Sequence, residues 1–159
     1  MYIIGIGLPR TGTTSLAKLL RNLGFSGMNF CIIHGNKEND CIEIEEKKFL
    51  VDNSAFRNFR QKLINSNQNT KFILTTRDKK SWKQSINSMK AKKLNIPDDL
   101  PDINVYFKEV TEFFKSNNSI NRLLVIDLNK INIQKIYSFL EIKTQIKIEY
   151  PKVTNLVNY

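Results

Sequence analysis

Four short apolar, β-branched runs punctuate the chain: Tyr2 to Ile6, Lys48 to Val51, Lys71 to Thr76 and Leu123 to Leu128. Each is too short for a helix and reads as a strand buried on both faces, as in a parallel sheet. Between them, apolar residues recur at three- and four-residue spacing. Leu16, Leu19, Leu20 and Leu23 make one helical stripe, closed by Gly24 where a left-handed C-cap is expected. Phe56, Phe59 and Leu63 make a second, with Asp52-Asn53-Ser54 placed to N-cap it. Trp82, Ile86 and Met89 make a third, Tyr106, Val110, Phe113 and Phe114 a fourth, and Ile133, Ile136, Tyr137 and Leu140 a fifth. Met28 to Glu46 reads as a long loop with short extended pieces, Leu94 to Asn104 as a mobile connection, and Ile146 to Tyr159 as a short strand or a wrapping tail. Strands alternating with helices predict a three-layer α/β fold around a mainly parallel sheet, with ligands outside the strand C-termini. Gly7, Asp52, Arg77 and Asp127 fall at those ends.

The loop after the first run narrows the fold. Gly7-Leu8-Pro9-Arg10-Thr11-Gly12-Thr13-Thr14-Ser15 joins a strand to a helix N-terminus, where unpaired backbone N–H groups and the positive end of the helix dipole favour a phosphate or sulfate. Its Gly-x4-Gly spacing matches a Walker A loop, but Thr13 stands where the lysine belongs, and the loop's cation, Arg10, precedes the second glycine. A Rossmann fingerprint is rejected because its third glycine falls on Arg10. The expected architecture is therefore a P-loop, nucleotide-kinase-like fold.

Bulk properties add limits. A chain of 159 residues with 41% hydrophobic content is sized for one domain, 1–159, with 86–121 as a helical acceptor-side region. No apolar run approaches the ~20 residues that span a bilayer, and no secretory signal is visible, so a cytoplasmic setting is expected. Cys31, Cys41 and the lone His34 do not make a metal site. The net charge of +10 raises the possibility of nucleic acid, but the lysines are scattered, so a nucleic-acid partner is not expected. Only Lys79, Lys80, Lys83, Lys90, Lys92 and Lys93 are locally dense, either lining an anionic pocket or forming a solvated helix face.

With these residues in view, the chain resembles the P-loop sulfotransferases that use 3′-phosphoadenosine-5′-phosphosulfate (PAPS). Pro9-Arg10-Thr11-Gly12-Thr13-Thr14-Ser15-Leu16 looks like their 5′-phosphosulfate loop. Phe72 to Asp78 followed by Ser81-Trp82 and Ser85 is similar to their 3′-phosphate motif, a strand, an arginine and a serine eight residues on. Leu124 to Leu128, Phe139-Leu140, and Tyr150-Pro151 with Asn155 agree more weakly with the family's closing elements. The C-terminal Arg-Lys-Gly-x-x-Gly segment of hormone and phenol sulfotransferases has no counterpart; Lys152 is a substitute candidate.

The resemblance implies sulfuryl transfer by in-line displacement, with PAPS as donor, 3′-phosphoadenosine-5′-phosphate (PAP) as product and no metal. Pro9, Arg10, Thr11, Gly12, Thr13, Thr14 and Ser15 would hold the 5′ end, with Arg10 stabilising charge on the leaving oxygen. Arg77 and Ser85 would hold the 3′-phosphate. The general base would be His34 or Asp52; Asp52 is equally a helix cap, and His34 an ordinary loop residue. Two other readings stay open, a P-loop nucleotide or nucleoside kinase and an inactive basic binding module. The acceptor is undetermined among glycan, peptide, lipid and small alcohol, and its pocket is completed by residues 86–115 or by a second subunit.

Overall fold

Each of the four apolar runs forms a strand, and a fifth strand joins them. The computed structural model describes residues 1–29, 48–51, 53–93, 96–143 and 149–151. Its strands are β1 (Tyr2–Gly5), β2 (Ser26–Asn29), β3 (Lys48–Val51), β4 (Thr70–Thr76) and β5 (Leu123–Asp127). They lie in the order β2-β3-β1-β4-β5, and every neighbouring pair is parallel. The helices are α1 (Thr13–Asn22), α2 (Asn53–Ser66), α3 (Lys79–Ala91), α4 (Ile103–Ser116) and α5 (Ile133–Phe139), with a 3-10 turn at Ile120–Arg122.

Strand alternation sends side chains to two separate cores. Ile4, Phe72 and Leu74 face one layer with Phe56 and Ile64 of α2, Trp82 and Ile86 of α3, and Ile103, Tyr106, Val110 and Phe114 of α4. Ile3 and Ile73 face the other, with Leu16, Leu19 and Leu20 of α1 and Ile136 of α5. Burial on both faces is why β1 and β4 read as continuous apolar runs and not as alternating ones; β5, expected to be buried likewise, lies at the sheet edge and leaves Val125 exposed. Phe56, Phe72, Phe113 and Phe114 pack at ring separations of 4.9–6.0 Å, mostly edge to face, which orients α2 and α4 on the sheet.

Two expectations need adjustment. The stretch read as loop from Met28 starts inside β2, which pairs Gly27 with Phe49 along an outer edge of the sheet. Ser-Gly-Met-Asn has a single large apolar residue, so no run marks it; pairing with β3 makes the strand. The connection before α4 is fastened by ion pairs: Asp99 to Arg57 at 3.7 Å, Asp102 to Lys79 at 2.6 Å and Asp98 to Lys90 at 2.8 Å. The expectations placed on His34, Asp52, Cys31, Cys41, Lys152 and Asn155 lie outside the described residues.

The topology also locates the site. From β1 the chain crosses to β3 and β2 on one side, whereas β4 leads to β5 on the other. The crevice between the ends of β1 and β4 is a topological switch point, where open α/β sheets bind ligands.

Candidate active site

The loop after β1 turns into α1 through two residues in the left-handed region, Arg10 with φ 68° and Gly12 with φ 92°. Gly12 admits that geometry without a Cβ penalty, and a Cβ there would also come within 2.5 Å of Leu128. Gly7 answers to close approach instead: a Cβ would lie 2.0 Å from the Thr75 hydroxyl. Thr11 is buried and braces this contact. Its hydroxyl lies 2.7 Å from the Leu8 carbonyl and 2.8 Å from the Thr75 hydroxyl, and its N–H donates to Leu8 at 3.2 Å. Thr11 therefore shapes the loop, with its hydroxyl committed inside the protein.

α1 begins without a side-chain cap, because Gly12 supplies none, and its first intrahelical bond runs from Leu16 N–H to the Gly12 carbonyl. By contrast α3, α4 and α5 carry caps of their own in Asp78, Asp102 and Asn132. The uncapped end combines the partial positive charge of the helix with Thr13 and Thr14 in its first turn.

Two arginines converge on that end. The Arg10 guanidinium donates from Nε to the Ser85 hydroxyl at 3.0 Å, so the loop is joined to α3. Arg77, just beyond β4, donates from Nη1 to the Arg10 carbonyl at 3.4 Å, and its buried Nε has no hydrogen-bond partner. Burial, and then the neighbouring Arg77 charge, pull the Arg10 guanidinium below its ordinary pKa. Among the described residues no carboxylate forms an ion pair with either arginine. Asp78, the nearest in sequence, accepts from the Ser81 N–H at 2.8 Å and from Asn129 at 3.3 Å. Two like charges side by side, with an orphan donor and a helix start that lacks a side-chain cap, are an arrangement whose chemistry suits an anion.

Of the residues singled out from sequence, Pro9, Arg10, Gly12, Thr13, Thr14, Arg77 and Ser85 thus lie on one crevice. The lysines of α3 are all exposed, and Lys79 and Lys90 are paired to Asp102 and Asp98, so the dense stretch is a solvated helix face. Among the described residues no group of three His, Cys, Asp or Glu side chains is placed to hold a metal ion, and no helix is long and apolar enough to cross a membrane.

Sequence reasoning missed the residues that hold the loop from behind. The Trp82 indole donates to the Pro9 carbonyl at 2.8 Å, the Tyr106 hydroxyl to the Ile6 carbonyl at 2.7 Å, and the Tyr150 hydroxyl approaches the Gly12 carbonyl at 3.5 Å. Burial raises the Tyr150 phenol above its ordinary pKa, so it stays a neutral donor. Trp82 and Tyr106 read as members of apolar helix stripes and Tyr150 as part of the closing tail, and only the position of Trp82 between Arg77 and Ser85 hinted at more.

Residues 2–54, about a third of the chain, match the family model of a sulfotransferase domain. That span holds β1, the anion loop and α1. No curated protein matches the chain. Among solved structures, an unliganded sugar kinase from Janibacter sp. HTCC2649 superposes with a TM-score of 0.53 over 89% of this chain and 95% of that one, at 11% identity. At that identity the likeness establishes the fold, a P-loop-like α/β architecture.

Proposed function

We propose that the chain is a sulfotransferase that takes its sulfuryl group from PAPS. The observation that carries this reading is the contact between Arg10 and Ser85, with Arg77 alongside. The loop and the strand-arginine-serine segment, which in this reading serve the two phosphate ends of PAPS, come together there, and among the described residues no carboxylate forms an ion pair with either arginine. The match of residues 2–54 to a sulfotransferase domain supports it independently.

The residues fit such an anion in three respects. The buried Arg77 Nε has no acceptor among the described residues, and α1 starts without a side-chain cap. Ser85 accepts from Arg10 and retains its own proton to donate to a 3′-phosphate. Thr13 replaces the Walker lysine that an ATP-dependent enzyme uses at the β- and γ-phosphates. In this reading, PAPS supplies the activated sulfuryl group. Amides at the start of α1 with Thr13 and Thr14 bind the 5′ end, and Arg77 with Ser85 binds the 3′ end. Arg10 stands between them and stabilises charge as the leaving oxygen separates. His34 or Asp52 takes the acceptor's proton.

Isothermal titration with PAP, without Mg²⁺, tests the assignment. PAP binding far tighter than ADP supports it; equal binding of the two, or ADP binding that requires Mg²⁺, overturns it in favour of a kinase.

A further inference from the structure

The anion loop is held by its carbonyls. Ile6 accepts from Tyr106, Leu8 from Thr11, Pro9 from Trp82, Arg10 from Arg77, and Gly12 lies against Tyr150. A peptide unit whose C=O is fixed outward has its N–H fixed inward, since the two point in opposite directions across the peptide plane. Of these braces, Trp82 acts at the point of greatest consequence. The carbonyl it holds belongs to the peptide whose N–H is that of Arg10, the residue in the left-handed region. Ser85, about one turn further along α3, holds the Arg10 side chain. One helix face therefore grips both the backbone and the guanidinium of the same residue.

We propose that Trp82 is a positioning residue for anion binding: its indole N–H fixes the Pro9–Arg10 peptide so that the Arg10 amide and guanidinium meet the ligand already oriented. The packing of Trp82, which is 6% exposed in the core with Ile86 and Ile103, keeps that donor in place. A core aromatic would need only its ring; the hydrogen bond to the loop gives the indole nitrogen a separate use. The inference rests on the reading of this crevice as a PAP-binding site.

Trp82→Phe keeps most of the packing and removes the N–H. Titration with PAP is expected to show about 3- to 10-fold weaker binding, the worth of one hydrogen bond. In an Arg10→Ala background, which keeps the amide but loses the guanidinium, the same substitution should cost less affinity than in wild type, because only the amide is left for the brace to orient. Equal losses in both backgrounds would mean a purely structural role and overturn the proposal, as would undiminished binding by Trp82→Phe. If wild type itself does not bind PAP, it is the functional reading that fails. Trp82 is the chain's single tryptophan, so the wild-type protein offers a second measurement. Its one indole N–H resonance in a nitrogen-15 correlation spectrum should shift and exchange more slowly when PAP is added. A resonance unmoved at saturating PAP refutes the proposal even where Trp82→Phe fails to fold.

Discussion

Arg77 and Arg122 both lie beside the central sheet, neither has a carboxylate ion-pair partner among the described residues, and they differ in how their donors are used. Arg122, 7% exposed, donates from Nε to the Thr70 carbonyl at 2.8 Å, from Nη1 to Ile64 at 2.8 Å and from Nη2 to Asn67 at 2.7 Å. Its guanidinium also lies 5.4 Å from the centre of the Phe72 ring. These carbonyls belong to the end of α2 and the turn into β4, the negative pole of the helix, so the cation is matched by backbone dipoles alone. Burial lowers its pKa, but every nitrogen has work within the fold. Arg77 has one long bond and a buried nitrogen with nothing to hold. A charge that the fold satisfies belongs to stability; one that the fold leaves wanting is, in the function proposed above, the one that meets the ligand.

The largest effect expected from this contrast is on stability. Arg122→Ala strands several buried carbonyls at once and should lower the unfolding free energy by about 3 kcal/mol. Urea denaturation measures it, and PAP affinity of the molecules that remain folded should be unchanged. An unaltered urea midpoint would erase the distinction between the two arginines.

Arg77→Ala should do the reverse. Removing a desolvated phosphate partner costs about 2–3 kcal/mol of binding, roughly 30- to 150-fold in Kd for PAP. Thermal stability should hold or rise, because the variant removes the like charge beside Arg10, whose pKa is lowered first by burial and then by Arg77. A marked drop in the melting temperature with PAP affinity intact would make Arg77 a structural residue like Arg122. Smaller again is Ser85→Ala, which releases the Arg10 side chain and should weaken PAP binding about 3- to 10-fold by calorimetry. A loss as large as that of Arg77→Ala would mean that Ser85 carries more than one hydrogen bond.

The contrast also marks what the sequence could tell. Tyr2 to Ile6 and Lys71 to Thr76 were legible as strands because both of their faces are buried, and the glycine spacing of 7–12 identified the turn between strand and helix. Arg77 and Ser85 were singled out because the strand, the arginine and the serine eight residues on resemble the sulfotransferase 3′-phosphate motif, which is local in sequence. Arg122 was not, since its partners are backbone carbonyls 52 to 58 residues away, and a carbonyl leaves no residue type to read. The same holds for Trp82 and Tyr106, whose indole and hydroxyl reach the loop across 73 and 100 residues. β2 was missed because its pairing, and not its own composition, makes it a strand.

The finest test concerns Asp78, whose position next to Arg77 suggests an ion pair that would undo the contrast. The geometry assigns its carboxylate to α3 instead. Its pKa is held below the ordinary carboxylate value first by the Ser81 backbone N–H, and the Arg77 charge is the smallest of the causes. Because the folded pKa is the lower one, this capping stabilises the protein fully above the unfolded value, about 4, and is lost as pH falls through the folded value. Asp78→Ala should therefore lower the thermal midpoint at pH 7, and its difference from wild type should shrink below pH 4 and close further down. If the carboxylate serves the helix, the same difference should persist at pH 7 in an Arg77→Ala background. If it served Arg77, most of it would vanish there, and the orphan donor beside the anion loop would have had a partner all along.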